Sequence, residues 1–243
     1  MIARDERPLA AVPAMVFAML ITALGLQITW QATQQRPAAR AEALEAPPAV
    51  PVLRVASLGE PVALAQLVTL YLQAFDNQPG ISIPFRELNY RRVIEWLDTI
   101  LALDPATQYP LLMATHLYGQ VPDPARQRLM FDFVHTQFLR DPNRRWRWLA
   151  NVTLACKHRL KDLPLALQYA REIAQLAPDA PPWARQLHII LLEDMGEVES
   201  AKIVIGGLLD SGQIKDPYEL RFLIDRLRSL EEKAENSTSP SKN

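Results

Sequence analysis

Cys156 and His158, two positions apart, are the pair whose types would suit nucleophilic chemistry. Such chemistry needs a thiol within reach of a base that a third group orients. On a helix, two residues of separation turn these side chains about 160° apart, so neither activates the other. Cys156 instead shares an apolar face with Leu149, Val152 and Leu160, and is expected to be a buried small hydrophobe. His116, His135, His158 and His188 form no HxxxH or HExxH spacing, and the single cysteine belongs to no CxxC pair, so no metal site is expected. No Gly-rich phosphate loop occurs; the pair Gly206-Gly207 falls inside an expected helix, where close approach of a neighbouring helix is the simpler role. No catalytic residue and no cofactor is predicted, and an enzyme would need a dispersed constellation.

The stretch Arg144-Arg145-Trp146-Arg147-Trp148 alternates guanidinium with indole. Between residues 140 and 161, Arg140, Arg144, Arg145, Arg147, Lys157, Arg159 and Lys161 face a single acid, Asp141. This local positive patch is either a solvated helix face with ordinary ion pairs or a receiver for an acidic partner segment or anionic headgroups. With Leu149 at the centre of the buried face, Trp146 lies about 60° to one side, Trp148 about 100° to the other, and Arg147 near 160°, in solvent. One indole therefore packs and the other sits at the edge. Arg144, Arg147 and Trp148 are the candidate partner-binding residues here. A second candidate is the loop DNQPGISIPF (76–85), where Ile81, Ile83 and Phe85 either tuck in as a cap or form an apolar docking loop.

These residues belong to a chain of 243 residues, 49% apolar and 22% charged, which is a globular balance. Twenty-six basic and 27 acidic side chains leave a net charge of −1, so no overall field favours nucleic acid. Eight Gly, 20 Pro, seven Phe and six Tyr beside abundant Leu and Ala disfavour a β-rich fold. After a short tail (1–8), no charge occurs from Leu9 to Gln31, a run long enough to cross a bilayer as a helix. No small-x-small cleavage site follows closely, which favours an uncleaved signal anchor over a removed signal peptide. Arg4 and Arg7 before the span balance Arg36 and Arg40 after it, so charge does not set the orientation. The expectation is a bacterial inner-membrane protein with one span, whose short leading tail favours a periplasmic domain, with a cytoplasmic domain as the alternative. Residues 32–57 carry prolines at 37, 47, 48 and 51 and read as a semi-rigid Ala/Pro-rich linker, while polar 231–243 reads as a disordered tail.

Between them, residues 58–230 show apolar residues at helical spacing, punctuated periodically. ILALDP ends at Pro105, QFLRDP at Pro142 and AQLAP at Pro178, intervals of 37 and 36, and Gln213 lies one step of 35 further on. Twelve positions before these points stand Val93, Met130, Ala166 and Ala201, with tight turns at Asn89-Tyr90, Lys161-Asp162 and Gly196-Glu197. Over about 150 residues this pattern resembles tetratricopeptide repeats, although Met130 fills a slot the family keeps small and Gln213 replaces a proline. The resemblance implies an all-α right-handed solenoid of about four helical hairpins with a concave surface for peptides or protein segments. Stacking is required because no single hairpin buries its own apolar face. Residues 60–75 and 216–230 would supply the first and last helices.

The expected function is a membrane-anchored adaptor or scaffold that binds a protein partner through the solenoid surface. The alternative is an accessory or assembly subunit of a membrane complex.

Overall fold

The computed structural model describes residues 13–33, 41–212 and 214–238; Gln213, the short tail 1–8 and the last residues of the expected C-terminal tail lie outside them. About 75% of the described residues are helical, in twelve α-helices. The chain divides into two units, the first of residues 1–42 with 79–81, the second of residues 43–78 and 82–243.

The first unit contains α1 (Ala14–Thr33), 20 residues with mean hydropathy 1.5 and none buried. It is long and apolar enough to cross a membrane. Its threonines hide their polarity locally: the Thr22 hydroxyl donates to Ala18 O and the Thr29 hydroxyl to Gly25 O.

The second unit begins within the expected spacer. Residues 41–49 have no regular structure, yet Leu44 is buried and the Trp96 indole N–H donates to Glu45 O at 2.9 Å. Then α2 (Val50–Ala56) starts with Pro51 in its first turn, where a proline lacks nothing a helix needs, and buries Leu53. The linker is thus shorter than its composition suggests, because two leucines find a core. At the far end the last helix continues to Thr238, eight residues past the expected end at Leu230.

From α2 the chain turns through Leu58, at φ 51°, and Gly59, at φ 95°, into α3 (Pro61–Ala74). A left-handed leucine costs about 1–2 kcal/mol relative to its ordinary conformation. Two two-residue strands, β1 (Asn77–Gln78) and β2 (Ile81–Ser82), follow and pair with each other. The remaining helices are α4 (Tyr90–Leu103), α5 (Tyr109–His116), α6 (Pro124–Arg140), α7 (Pro142–Ala155), α8 (Leu163–Leu176), α9 (Pro182–Arg185), α10 (Leu187–Asp194), α11 (Val198–Asp210) and α12 (Pro217–Thr238).

Side-chain oxygens mark several starts. Asn89, Asp123, Asp141 and Asp162 each accept backbone N–H groups in the first turn of the helix they precede. In three places the cap is followed by a proline at the first helical position, Pro124, Pro142 and Pro217, after Asp123, Asp141 and Asp216. Pro142 therefore opens α7 rather than merely closing α6.

Each helix from α3 to α8 packs on its successor, α8 also packs on α10, and the series continues through α11 to α12. Next-but-one contacts, α4 with α6 and α5 with α7, build the core between layers. Val93, Met130, Ala166 and Ala201, the four positions one sequence step apart, expose no surface at all. Polar contacts repeat the same step: Arg128–Asp162, His135–Glu172, Gln137–Asp98, Trp148–Gln108, Lys157–Asp194 and Arg226–Glu193 join residues 33 to 40 apart.

His188 on α10 is buried, and its Nδ1 has no partner. Burial lowers its pKa below the ordinary 6.5, an effect the nearby Arg185 backbone opposes only in part. As pH falls below 6.5 the unfolded chain takes up this proton before the folded one does. The stability His188 contributes is therefore complete above that pH and is lost as pH falls through the folded pKa. Urea unfolding at pH 7.5 and 5.5 should show that His188→Gln removes part of the acid sensitivity.

Candidate partner-binding surface

The helix that carries the basic stretch begins at Asp141, whose carboxylate accepts the Arg144 N–H at 3.4 Å and pairs with the Arg144 Nε at 3.1 Å. Arg144 and Arg147 are exposed. Trp148 is buried, at 7% exposure, and its indole N–H donates to Gln108 at 2.6 Å while its ring meets the edge of His116. Trp146 is half-buried against Trp183, ring centroids 5.6 Å apart, with the Arg147 guanidinium 6.0 Å over its ring. The two indoles thus exchange the places a helical wheel gives them, because α5 and Gln108 close over the Trp148 side. Trp148 holds α7 to its neighbours and has little surface left for a partner.

The residue that sequence reasoning missed is Arg145. It stands four positions before Leu149, about 40° from the centre of the buried face and nearer to it than either tryptophan. That angle was the available signal, masked by the habit of placing arginines in solvent. Arg145 is 5% exposed. Its Nη1 donates to Gln137 O at 2.9 Å and Gln137 Oε1 at 2.8 Å, its Nη2 reaches Pro105 O at 3.4 Å, and its Nε has no partner. All three acceptors are neutral. Burial lowers the Arg145 pKa; Asp141 and Asp98 oppose this from a distance, and Arg140 and Arg144 add to it. Gln137 is fixed in turn, donating to Asp98 at 2.7 Å, and Arg140 takes the same carboxylate at 2.6 Å.

Arg145, Arg140, Arg144 and Asp141 line a cleft of about 310 Å³ with Gln137, Pro105, Leu101 and Ala102. Of the three guanidinium groups at the cleft, Arg140 pairs with Asp98 and Arg144 with Asp141, while buried Arg145 is touched by no carboxylate among the described residues. Chemically it suits a carboxylate or another oxyanion, which would complete the guanidinium's hydrogen bonding.

On the other side of α7 a second cavity, about 300 Å³, brings together His116, His158, Asn151, Gln120 and Arg159. His158 and Arg159 come from a π-helical turn, Cys156–Leu160, that ends at left-handed Lys161, φ 54°. No group of three metal-ligating side chains occurs among the described residues. Cys156 lies beneath, fully buried, and burial pushes its thiol up to about 12. The native protein should therefore resist a thiol reagent such as Ellman's at pH 8, and react once unfolded in urea.

The 76–85 loop places its apolar residues differently from one another. Ile83 is buried and its N–H donates to Asp76 O at 2.6 Å; Phe85 is half-buried with its ring edge-on to Tyr118 at 5.7 Å. Ile81 is half-buried. Ile83 and Phe85 are thus committed largely to packing. Tyr118 is itself held, since the Tyr90 hydroxyl donates to its carbonyl at 3.0 Å.

No protein-family model, curated protein or solved structure matches this chain.

Proposed function

We propose that this protein is a membrane-anchored helical-repeat adaptor that receives an acidic segment of a partner protein in the cleft lined by Arg140, Arg144 and Arg145. The carrying observation is the buried Arg145 guanidinium, hydrogen-bonded to neutral oxygens alone. A buried charge is costly unless paired, so a site that holds one half of an ion pair is poised for the other half. Exposed Arg144 and Arg140 would guide the segment in, an effect that weakens with salt.

A tetratricopeptide-like stacking of hairpins is supported by polar contacts that recur 33 to 40 residues apart and by the buried positions 93, 130, 166 and 201. The anchor reading rests on α1. No reaction is assigned to the protein.

Purification of the full chain in detergent, beside Arg140→Glu/Arg144→Glu, tests this reading. A partner with an acidic segment that co-purifies with the natural chain and is lost from the double variant supports it. Retention of the same partner by the double variant overturns the cleft assignment. A stoichiometric complex that ignores the cleft favours an accessory subunit instead. A reporter fused to the C-terminus decides sidedness, and activity of a cytoplasmic reporter reverses the periplasmic assignment.

A further inference from the structure

The segment from Val55 to Phe75 carries one charge in its whole length, Glu60. It forms the end of α2 and all of α3, two helices that meet at 113° around Leu58. A soluble domain would bury most of such a sequence, but here its outer side is open. Val52, Val55, Val62, Leu67, Leu70 and Tyr71 are exposed, and Leu58 at the tip is 92% exposed. Only Ala65, Val68 and Leu72 of α3 turn into the core.

The tip is built to project. Leu58 adopts a left-handed backbone that a leucine avoids, and Gly59 beside it takes another positive φ. Strain of this kind persists where the exposed geometry is itself useful. Arg54, the basic residue nearest the tip in sequence, is exposed and donates to Ala102 O, leaving the apolar edge free of positive charge. An exposed apolar edge on a helix pair, with an aromatic at its margin, can bury in the headgroup–acyl boundary of a bilayer.

The covalent chain favours the same occupant. Ten residues separate Thr33, the end of α1, from buried Leu44, and so short a tether extends at most about 40 Å. If α1 is an anchor, the covalent chain keeps Leu44, where the helical unit begins, within that distance of the end of α1. We infer that the α2–α3 elbow is a second, monotopic membrane contact, with Leu58 in the headgroup–acyl boundary. This rests on the anchor reading. It would hold the domain against the bilayer rather than on a free spacer.

The test uses the full chain in phosphatidylcholine/phosphatidylglycerol vesicles with an environment-sensitive fluorophore at Leu58→Cys. Two further labelled variants serve as references: Leu24→Cys within α1, and Glu199→Cys on α11, whose side chain is 74% exposed. Cys156 stays unlabelled because it is buried. The Leu58 label should be quenched about twofold by spin-labelled lipid with a shallow doxyl group, and be several-fold less accessible to iodide than the Glu199 label. Leu58 as open to iodide as Glu199, with Leu24 quenched by lipid, overturns the elbow contact and leaves the anchor standing. Leu58 shielded from iodide but untouched by lipid quencher also overturns it, since a second copy or another protein then covers the tip. A Leu24 label that lipid does not quench removes the anchor and the elbow contact together.

Discussion

Phe131→Ala is expected to lower the stability of the helical unit by about 3–5 kcal/mol, the range for truncating a fully buried phenylalanine. Phe131 is 1% exposed on α6, and its ring lies against Gly119, where an added Cβ would come 3.2 Å from the ring and 2.7 Å from Ala114 O. The chain comes this close because residue 119 has no side chain. Relaxation into the void is blocked, since the carbonyl of neighbouring Tyr118 is held by the Tyr90 hydroxyl. The space left would also join the cavity that Phe131 lines with His116 and His158, admitting water to the core. Domain stabilities are about 5–15 kcal/mol in total, so the variant should melt roughly 10 °C lower or fail to fold. Thermal unfolding followed by circular dichroism measures this, and a loss under about 1 kcal/mol would show that the core around Gly119 closes over the gap.

The second large effect separates binding from stability at one residue. Arg145→Met keeps the length of the side chain and removes its charge. Two good hydrogen bonds to Gln137 are lost, each about 1.5–3 kcal/mol with a charged donor, while a desolvation penalty of several kcal/mol disappears. The two nearly cancel, so folding stability should change by less than about 1 kcal/mol. Breaking a buried pair by removing one carboxylate partner would instead cost about 3–5 kcal/mol, and Arg145 has no such partner to leave behind. Affinity for an acidic segment should fall by about 2–5 kcal/mol, thirtyfold or more. Fluorescence anisotropy with a labelled Glu-rich peptide, beside a urea titration of the same samples, reads both. Unchanged affinity, or none in the natural chain, removes Arg145 from the binding role; a large stability loss would make it a structural group.

How much of this was legible differs between residues for physical reasons. The starts of α3 and α12 could be read because Pro61 and Pro217 act locally, through their own φ and missing N–H. Positions 93, 130, 166 and 201 could be set in one frame because the punctuation after them recurs at intervals of 37, 36 and 35 residues, but their complete burial is a finding of the structure. Burial of Cys156 followed from its companions Leu149 and Val152 on the same face. The docking of residues 44–56 could not be read, because Trp96, which donates to Glu45 O 51 residues back, and the rest of α4, on which α2 packs, are distant in sequence, and composition argued for a spacer. The exchange of roles between Trp146 and Trp148 has the same origin: the indole N–H of Trp148 is claimed by Gln108, 40 residues back. The arginine cleft needed both levels, an angle on α7 and the carbonyls of Pro105 and Gln137 that meet it there.

The spacing of those polar contacts bears on how such a chain can change its length. Asp98, held by Gln137 and Arg140, reaches one step forward, as do Gln108 to Trp148 and Glu193 to Arg226. A loss or duplication of a few residues would change the separation of every such pair that spans it. A loss or duplication of one whole step would re-create a matching set at the new junction. On the proposed stacking of hairpins, the protein is brittle to small insertions and tolerant of modular ones, so length variants should differ by whole hairpins.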